Sequence, residues 1–221
     1  MIAIDLISDV VPAIHKNDTA SEALNWMDVF RVSHLPIVVD EEYLGLISET
    51  DIFDMNNPEK RVMDHELSLP RPFITEDQHI YEAAVLVAKY KLTVIPVLTT
   101  DEKYIGIITI NDLAQEFSHL MSANNPGGII VLELRTNDYS LSEIAQIVEG
   151  NDVKILSLYV KTTPTNEFVD ITLKLNKNDI SAVIQTFERY SYKIKATYAD
   201  SKEIDVMLKE RLDSFLKYLN T

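Results

Sequence analysis

The chain has 221 residues, 46% hydrophobic and 25% charged, which predicts a soluble globular protein of one large domain or two small ones. No apolar run approaches the ~20 residues of a membrane span and no basic segment precedes the apolar N-terminus, so we expect a cytoplasmic protein with no membrane partner. The absence of cysteine excludes disulfides, thiolate catalysis and zinc-thiolate sites, and a net charge of −15 argues against a nucleic-acid partner, whose phosphates require Lys and Arg.

The first 60 residues contain a pattern that recurs later in the chain. Thr19-x-x-Glu22 is a capping box and predicts the start of a helix, because apolar residues at helical spacing follow it. The acidic triplet 40–42 separates two apolar runs, Leu35–Val39 and Tyr43–Ser48, and predicts a hairpin. A second helix is expected directly after the hairpin.

A second copy follows at a spacing of about 60 residues. The clearest match sets Gly45-Leu-Ile-Ser-Glu-Thr-Asp51 against Gly106-Ile-Ile-Thr-Ile-Asn-Asp112. The preceding strands also match, His34-Leu-Pro-Ile with Val94-Ile-Pro-Val. The charged triplet 101–103 corresponds to the triplet 40–42 and predicts the hairpin turn of the second copy. Each copy is predicted to be a short strand, a helix, two strands and a second helix, which is an α/β arrangement.

These paired Gly-x-x-Ser/Thr-x-x-Asp segments, each preceded by an apolar-Pro-apolar strand, resemble the CBS domain, two copies of which pack into a Bateman module. The resemblance covers about residues 1–121, with domains expected at 1–60 and 61–122. It implies a non-catalytic regulatory module that needs no cofactor, binds an adenosine-type nucleotide as its regulatory ligand and associates into homodimers.

Each motif places a carboxylate three residues after a hydroxyl, across a strand-to-helix turn, in the pairs Ser48 with Asp51 and Thr109 with Asp112. Such a carboxylate accepts hydrogen bonds from two ribose hydroxyls, while the hydroxyl and the first helical N–H groups hold a ribose oxygen or the first phosphate. The alternative at each position is an ordinary helix cap. The CBS resemblance implies that the Asp holds ribose and that the adenine is gripped by backbone and apolar contacts. The residues expected there are Ile37, Val97, Ile47 and Ile108, with the adjoining Pro36 and Pro96.

The charge of the first half bears on which nucleotide binds. Residues 1–122 hold 8 basic and 21 acidic residues, a net charge of −13, and neither motif contains a basic residue. Each added phosphate brings negative charge that must be compensated. AMP or an adenosyl compound is therefore favoured over ATP, although a bridging Mg²⁺ would reverse that order. Whether one or both motifs bind a ligand stays open.

Asn124-Asn-Pro-Gly-Gly128 predicts a linker at 123–128, followed by a second domain at 129–200. Its predicted elements are, in order, a strand 129–134, a helix 141–149, strands 153–162 and 168–175, a helix 180–190 and a strand 192–198. This βαββαβ order predicts a ferredoxin-like sheet with two helices on one face. With its Pro-Gly start the domain resembles an ACT domain, and the order CBS, CBS, ACT is similar to bacterial proteins described as acetoin-utilisation type.

The loop after the first strand of this domain, Thr136–Ser140, lacks the glycines of amino-acid-binding ACT domains, so the backbone approaches a ligand less closely. Pairing of sheet edges in a homodimer is therefore expected more than amino-acid binding, for which Asn137 and Asp138 are the candidates. A last helix is predicted over 201–221. Its apolar stripe packs on its own domain or on a partner helix in a dimer.

No catalytic motif competes with these predictions. The chain contains no Gly-x-Gly-x-x-Gly, P-loop or Gly-x-Ser-x-Gly segment, and its five histidines do not fall at metal-ligand spacing, so neither a catalytic nor a metal site is predicted. Three functions stay open. They are a nucleotide-sensing regulator that transmits occupancy to an unidentified protein target, a structural homodimer with vestigial sites, and an enzyme without a recognised motif. The regulator is favoured.

Overall fold

The structure, a computed structural model, describes residues 1–55, 57, 59–163 and 167–199. The chain divides into a first unit, Met1–Glu116, and a second unit that begins at Phe117. The helix predicted over 201–221 lies outside the described residues. No helix in the described ranges is both long and apolar enough to cross a bilayer.

Both copies of the repeat fold as a helix, an antiparallel strand pair and a second helix. In the first copy these are α1 (Ala20–Phe30), β1 (His34–Val39), β2 (Glu42–Ser48) and α2 (Glu49–Asp54). In the second copy they are β3 (Ile74–Thr75), α3 (Ile80–Tyr90), β4 (Val94–Leu98), β5 (Tyr104–Thr109) and α4 (Ile110–Leu120). Short 3-10 turns at Ala3–Leu6 and Val62–Asp64 precede the two copies.

The capping box predicted at the start of α1 is present. Thr19 Oγ1 accepts a hydrogen bond from Glu22 N (3.3 Å), and the Glu22 carboxylate accepts one from Thr19 N (2.8 Å). Together these bonds satisfy two N–H groups at the helix start. The helix then buries Ala23 and Met27 at a spacing of four residues, which fixes the face that it turns to the core.

The two hairpins share an irregularity at the same place. The pairing shifts between Ile37 and Val38 in the first copy and between Val97 and Leu98 in the second.

The predicted short first strand differs between the copies. In the second copy β3 pairs in parallel with β4, whereas in the first copy Ile14 makes only a single parallel bridge to Ile37.

The segment that leads into each copy packs against the other copy. We call the stretch around Ile7 and Ser8 the N-terminal crossing segment and the stretch 67–72 the crossing segment between the copies. Ser8 N, in the N-terminal crossing segment, donates to Ile107 O of β5 (2.8 Å). In the crossing segment between the copies, Pro72 O accepts a hydrogen bond from the buried hydroxyl of Tyr43 on β2 (2.9 Å). Each copy therefore depends on backbone contributed by the other.

The glycine of each repeated motif lies directly beneath a crossing segment. A Cβ atom on Gly45 would lie 2.4 Å from Leu67 Cδ1, and one on Gly106 would lie 2.5 Å from Ile7 Cγ2. Gly106 also has a φ of +149°, which L-residues rarely adopt. The repeated glycines thus make room for the crossing segments.

The second unit has the predicted βαββαβ order. Its elements are β6 (Ile129–Arg135), α5 (Leu141–Glu149), β7 (Ile155–Thr162), β8 (Phe168–Leu175), α6 (Ser181–Arg189) and β9 (Lys193–Tyr198). The sheet order β7-β8-β6-β9, with every neighbouring pair antiparallel, is that of a ferredoxin-like fold. Both helices pack on one face of the sheet, where Ile147 of α5 and Phe187 of α6 share a core with Ile171 of β8.

Candidate functional site

The hydroxyl–carboxylate pairs predicted from the sequence lie at the two strand-to-helix turns of the first unit. Ser48 ends β2 and caps α2, while Thr109 ends β5 immediately before α4. We call these the Ser48–Asp51 turn and the Thr109–Asp112 turn. Both have the same internal hydrogen bonds, and they differ in what surrounds the second oxygen of each carboxylate.

In the Ser48–Asp51 turn both carboxylate oxygens have partners. Asp51 Oδ2 accepts hydrogen bonds from Ser48 N (2.9 Å) and Ser48 Oγ (2.7 Å), and Ser48 Oγ accepts one from Asp51 N (3.1 Å). Asp51 Oδ1 accepts one from Ser68 N (3.3 Å), which belongs to a crossing segment. Asp51 is only 4% exposed, so this turn is closed.

The electrostatics of Asp51 follow from these contacts. Burial acts to raise the pKa of its carboxyl, but the hydrogen bonds from Ser48 and Ser68 outweigh burial and hold the pKa below its usual value. The ionised form is therefore retained by donors that the protein itself supplies.

In the Thr109–Asp112 turn only one carboxylate oxygen has partners. Asp112 Oδ2 accepts hydrogen bonds from Thr109 N (3.1 Å) and Thr109 Oγ1 (2.6 Å), whereas Asp112 Oδ1 accepts none from the residues that the structure describes. The side chain is half-buried. This turn presents a fixed carboxylate with one oxygen available.

The crossing segments account for this difference. Leu67 lies over Gly45 as Ile7 lies over Gly106, so Ser68 and Ser8 occupy matching positions. Ser68 N donates to the carboxylate of Asp51, whereas Ser8 N donates to the backbone of β5. Sequence reasoning missed the role of Ser68, because it depends on a contact between the copies.

The residues predicted to grip adenine belong to the core of the first unit. Ile37 and Val97 pair with Gly45 and Gly106 across the hairpins. All four apolar candidates are at most 3% exposed, namely Ile37, Ile47, Val97 and Ile108. Pro36 and Pro96 are buried as well. Contact of these residues with a ligand stays a prediction.

A hydrogen-bonded link that the sequence did not reveal joins the two turns. Ser33 O accepts from Glu49 N at the start of α2 (3.0 Å), and Ser33 N donates to Thr93 Oγ1 (2.9 Å). Thr93 O in turn accepts from Ile110 N at the start of α4 (3.0 Å). The one available signal was that Ser33 and Thr93 stand at the spacing of the repeat.

His34 completes this link. Its Nδ1 lies 3.0 Å from Thr93 Oγ1 and accepts a hydrogen bond from Thr93 N (3.3 Å), a contact that requires Nδ1 to carry no proton. Burial lowers the pKa of His34, against the opposing attraction of the Asp51 and Glu49 carboxylates. The neutral imidazole therefore fits this position best.

In the second unit, the loop after β6 borders a cavity of about 580 Å³. Asn137 and Asp138, the candidates from the sequence, both line it. Arg135 and Glu167 add a charge of each sign. Within the described ranges, no group of three or more His, Asp or Glu side chains is placed to hold a metal ion.

Comparison with protein-family models matches the CBS domain twice, at residues 3–56 and 60–119. These stretches make up more than half of the chain and contain the two strand-to-helix turns.

Among curated proteins, the chain is similar to the inosine-5'-monophosphate dehydrogenase of Methanocaldococcus jannaschii, with 25% identity over 146 residues, which are 66% of this chain and 29% of that protein. It is also similar to the enzyme of the same name from Korarchaeum cryptofilum, with 24% identity over 180 residues, 80% of this chain and 34% of that protein. The chain thus spans no more than 34% of the length of either relative. Among solved structures, a CBS domain pair/ACT domain protein from Thermotoga maritima is 18% identical, with a TM-score of 0.49 over 54% of this chain and 98% of that one.

Proposed function

The chain belongs to the CBS domain family, and on this basis we propose that it is a non-catalytic regulatory protein that binds an adenosine-type nucleotide in its first unit and transmits occupancy to a protein partner. We place the two CBS domains at 1–60 and 61–122, a linker at 123–128 and the ferredoxin-like domain at 129–200.

The observation that carries the proposal is the carboxylate of Asp112. Thr109 holds Oδ2 through two hydrogen bonds, which fixes the direction of Oδ1. A carboxylate oxygen without a partner in the described structure has two lone pairs for donors such as neighbouring ribose hydroxyls. Ile110 N and Asp112 N at the start of α4 already donate to Thr93 O (3.0 Å) and Thr109 Oγ1 (3.1 Å), so the helix start favours a phosphate through the positive end of its dipole rather than through these N–H groups.

We assign binding to the Thr109–Asp112 turn and a structural role to the Ser48–Asp51 turn. A ribose at Asp51 would have to compete with Ser68 N for Oδ1 and would have to enter a position that is 4% exposed. A ribose at Asp112 displaces no protein donor in the described residues. One nucleotide for each chain is the expected stoichiometry.

The favoured ligand is AMP or an adenosyl compound. The first half of the chain carries a net charge of −13, and neither turn contains a basic residue, so the additional phosphates of ATP lack compensation. We propose that adenine is held mainly by the backbone groups beside Ile37, Ile47, Val97 and Ile108, since these side chains are at most 3% exposed.

Calorimetric titration of the full chain with AMP, ATP, NAD and S-adenosylmethionine tests this proposal. We expect AMP or S-adenosylmethionine to bind with one site for each chain and to raise the melting temperature. Asp112→Ala should abolish that rise, while the matched variant Asp51→Ala should retain it even though its starting stability is lower. Binding by none of the four compounds would favour the structural homodimer instead. Binding that survives Asp112→Ala would place the ligand elsewhere.

We further propose that the second unit is an ACT-like domain. Within the described residues its edge strands β7 and β9 each pair on one side only, which leaves backbone groups for sheet pairing in a homodimer. The cavity beside Asn137 and Asp138 favours amino-acid binding as a second candidate function. Titration with the twenty amino acids, repeated on Asp138→Ala, tests it. Heat from none of them would leave dimerisation as the role of this unit.

A further inference from the structure

A buried lysine lies on the sheet face that is turned away from α5 and α6. Val169, Ile171 and Leu173 of β8 belong to the core shared with the helices. Because side chains alternate along a strand, Lys174 points to the opposite face. Lys174 is nevertheless only 9% exposed, which is unusual for a lysine that has no counterion among the described residues.

The ammonium group of Lys174 has a single protein partner in the part of the chain that the structure describes. Its Nζ donates to Gly127 O at 2.7 Å. By contrast, Lys154 and Lys195 pair with carboxylates at 2.9 Å and 2.6 Å, and both are exposed. An ammonium group has three N–H donors, so two of those on Lys174 lack a protein acceptor. Because Lys174 lines a cavity, these two donors are available to an anion that enters it.

The surroundings of Lys174 fit such an anion. The residue lines a cavity of about 310 Å³ together with Asn125, Asn178 and Tyr198, whose amide and hydroxyl groups are further donors. Pro126 and Ile129 add apolar wall, and no carboxylate is among the lining residues that the structure describes.

The Gly127 carbonyl that holds Lys174 is fixed in place. Gly127 has a φ of +140°, and a Cβ atom there would lie 1.8 Å from Leu175 O, so the chain runs tightly against the end of β8. The acceptor that orients Nζ is therefore fixed by packing before any ligand arrives.

We propose that this cavity is a binding site for a small oxyanion, a carboxylate or a phosphate group, held by Lys174 and the two asparagine amides. The site lies at the Ile129 end of β6, whereas Asn137 and Asp138 follow the Arg135 end. It is independent of the nucleotide proposed for the first unit, and a loss of nucleotide binding leaves it unaffected.

The test is an NMR titration of the full chain with sodium phosphate and with sodium butyrate, each against sodium chloride at matched ionic strength. We expect the amide signals of Gly127, Gly128 and Ala199 to shift and to saturate with at least one of the two anions. Saturation by phosphate alone assigns the site to phosphate groups, and saturation by butyrate alone assigns it to carboxylates. Absence of saturable shifts with both anions overturns the proposal.

Two variants and one control make the test specific. Lys174→Met should abolish the shifts, whereas Lys161→Met removes the same charge from an exposed position on β7 and should preserve them. Asn178→Ala, which retains the lysine, should raise the dissociation constant several-fold and keeps the test informative where Lys174→Met fails to fold. Shifts that persist in Lys174→Met, or an unchanged affinity in Asn178→Ala, contradict the assignment.

Discussion

Asp51 and Asp112 show how one contact changes the chemistry of a repeated residue. Both carboxylates close a capping box with the preceding hydroxyl, and a sequence pattern predicts that much. The second oxygen of Asp51 accepts from Ser68 N, whereas that of Asp112 has no protein donor among the described residues. The same residue type therefore closes one turn and leaves the other open.

This difference predicts unequal effects on stability. Asp51→Ala removes a buried carboxylate and leaves the N–H groups of Ser48 and Ser68 without acceptors, so we expect a loss of about 2 kcal/mol in the free energy of unfolding. Asp112→Ala affects a half-buried cap and should cost about 1 kcal/mol. Urea unfolding of both variants measures the two losses, and equal losses would mean that Ser68 contributes nothing.

His34 predicts a pH dependence of stability. Burial lowers its pKa in the folded state below the ordinary 6.5, so the unfolded chain binds the proton more tightly. The contribution to stability is fully present above about pH 6.5 and is lost as the pH falls through that value toward the folded pKa. We expect urea midpoints to decrease as the pH is lowered from about 7.5 to about 5.5.

The control for this pH dependence comes from the repeat itself. His34→Val introduces the residue type that the second copy carries at the matching position, Val94, and removes the titrating group. The variant should lose most of the slope between about pH 7.5 and 5.5 while keeping its hairpin. A slope that is unchanged in His34→Val assigns the effect to another group.

At the scale of elements, the crossing segments predict a coupling between two residues. Gly45→Ala places a methyl group against Leu67 Cδ1 and should cost about 1–3 kcal/mol by overpacking. In the double variant with Leu67→Ala the obstruction is gone. The double variant should therefore lose less stability than the sum of the losses in the two single variants. Urea unfolding of the two single variants and the double variant measures this coupling. Strict additivity would contradict the close approach.

Periodicity and turn residues predicted the elements well because those signals are local. The helix expected at 141–149 and the strand at 168–175 have the observed bounds, whereas β7 begins at Ile155 rather than at residue 153. At that point Lys154 N donates to Asn176 Oδ1, so a side chain replaces the sheet pairing. The crossing segments, the Ser33–Thr93 link and the burial of Lys174 depend on contacts between residues far apart in the chain, which no local pattern records.

On the scale of the whole molecule, each unit has its own core, and Trp26 on α1 is the one tryptophan of the chain. Tryptophan fluorescence therefore reports unfolding of the first unit alone. We expect AMP at about a hundredfold excess over its dissociation constant to add about 2.7 kcal/mol to the stability of that unit. The fluorescence midpoint should rise.

The unfolding midpoint reported by a probe of the second unit should not rise together with the fluorescence midpoint. Amide signals from β6 and β8, followed by NMR during the same thermal series, should keep their midpoint when AMP is added. A joint rise of both midpoints would show that the two units unfold together, and a rise confined to β6 and β8 would place the nucleotide in the second unit.

The crossing segments also determine when each copy can complete its contacts during synthesis. Ile7 and Ser8 leave the ribosome well before β5, the strand that they contact, which lies near the end of the first unit. The first copy consequently lacks the cover over Gly45 until Leu67 has been synthesised, and Ile7 lacks its contact with Gly106 for longer still. Pairings of such large sequence separation form slowly, so this interval is when the nascent chain is most exposed to aggregation and to chaperones.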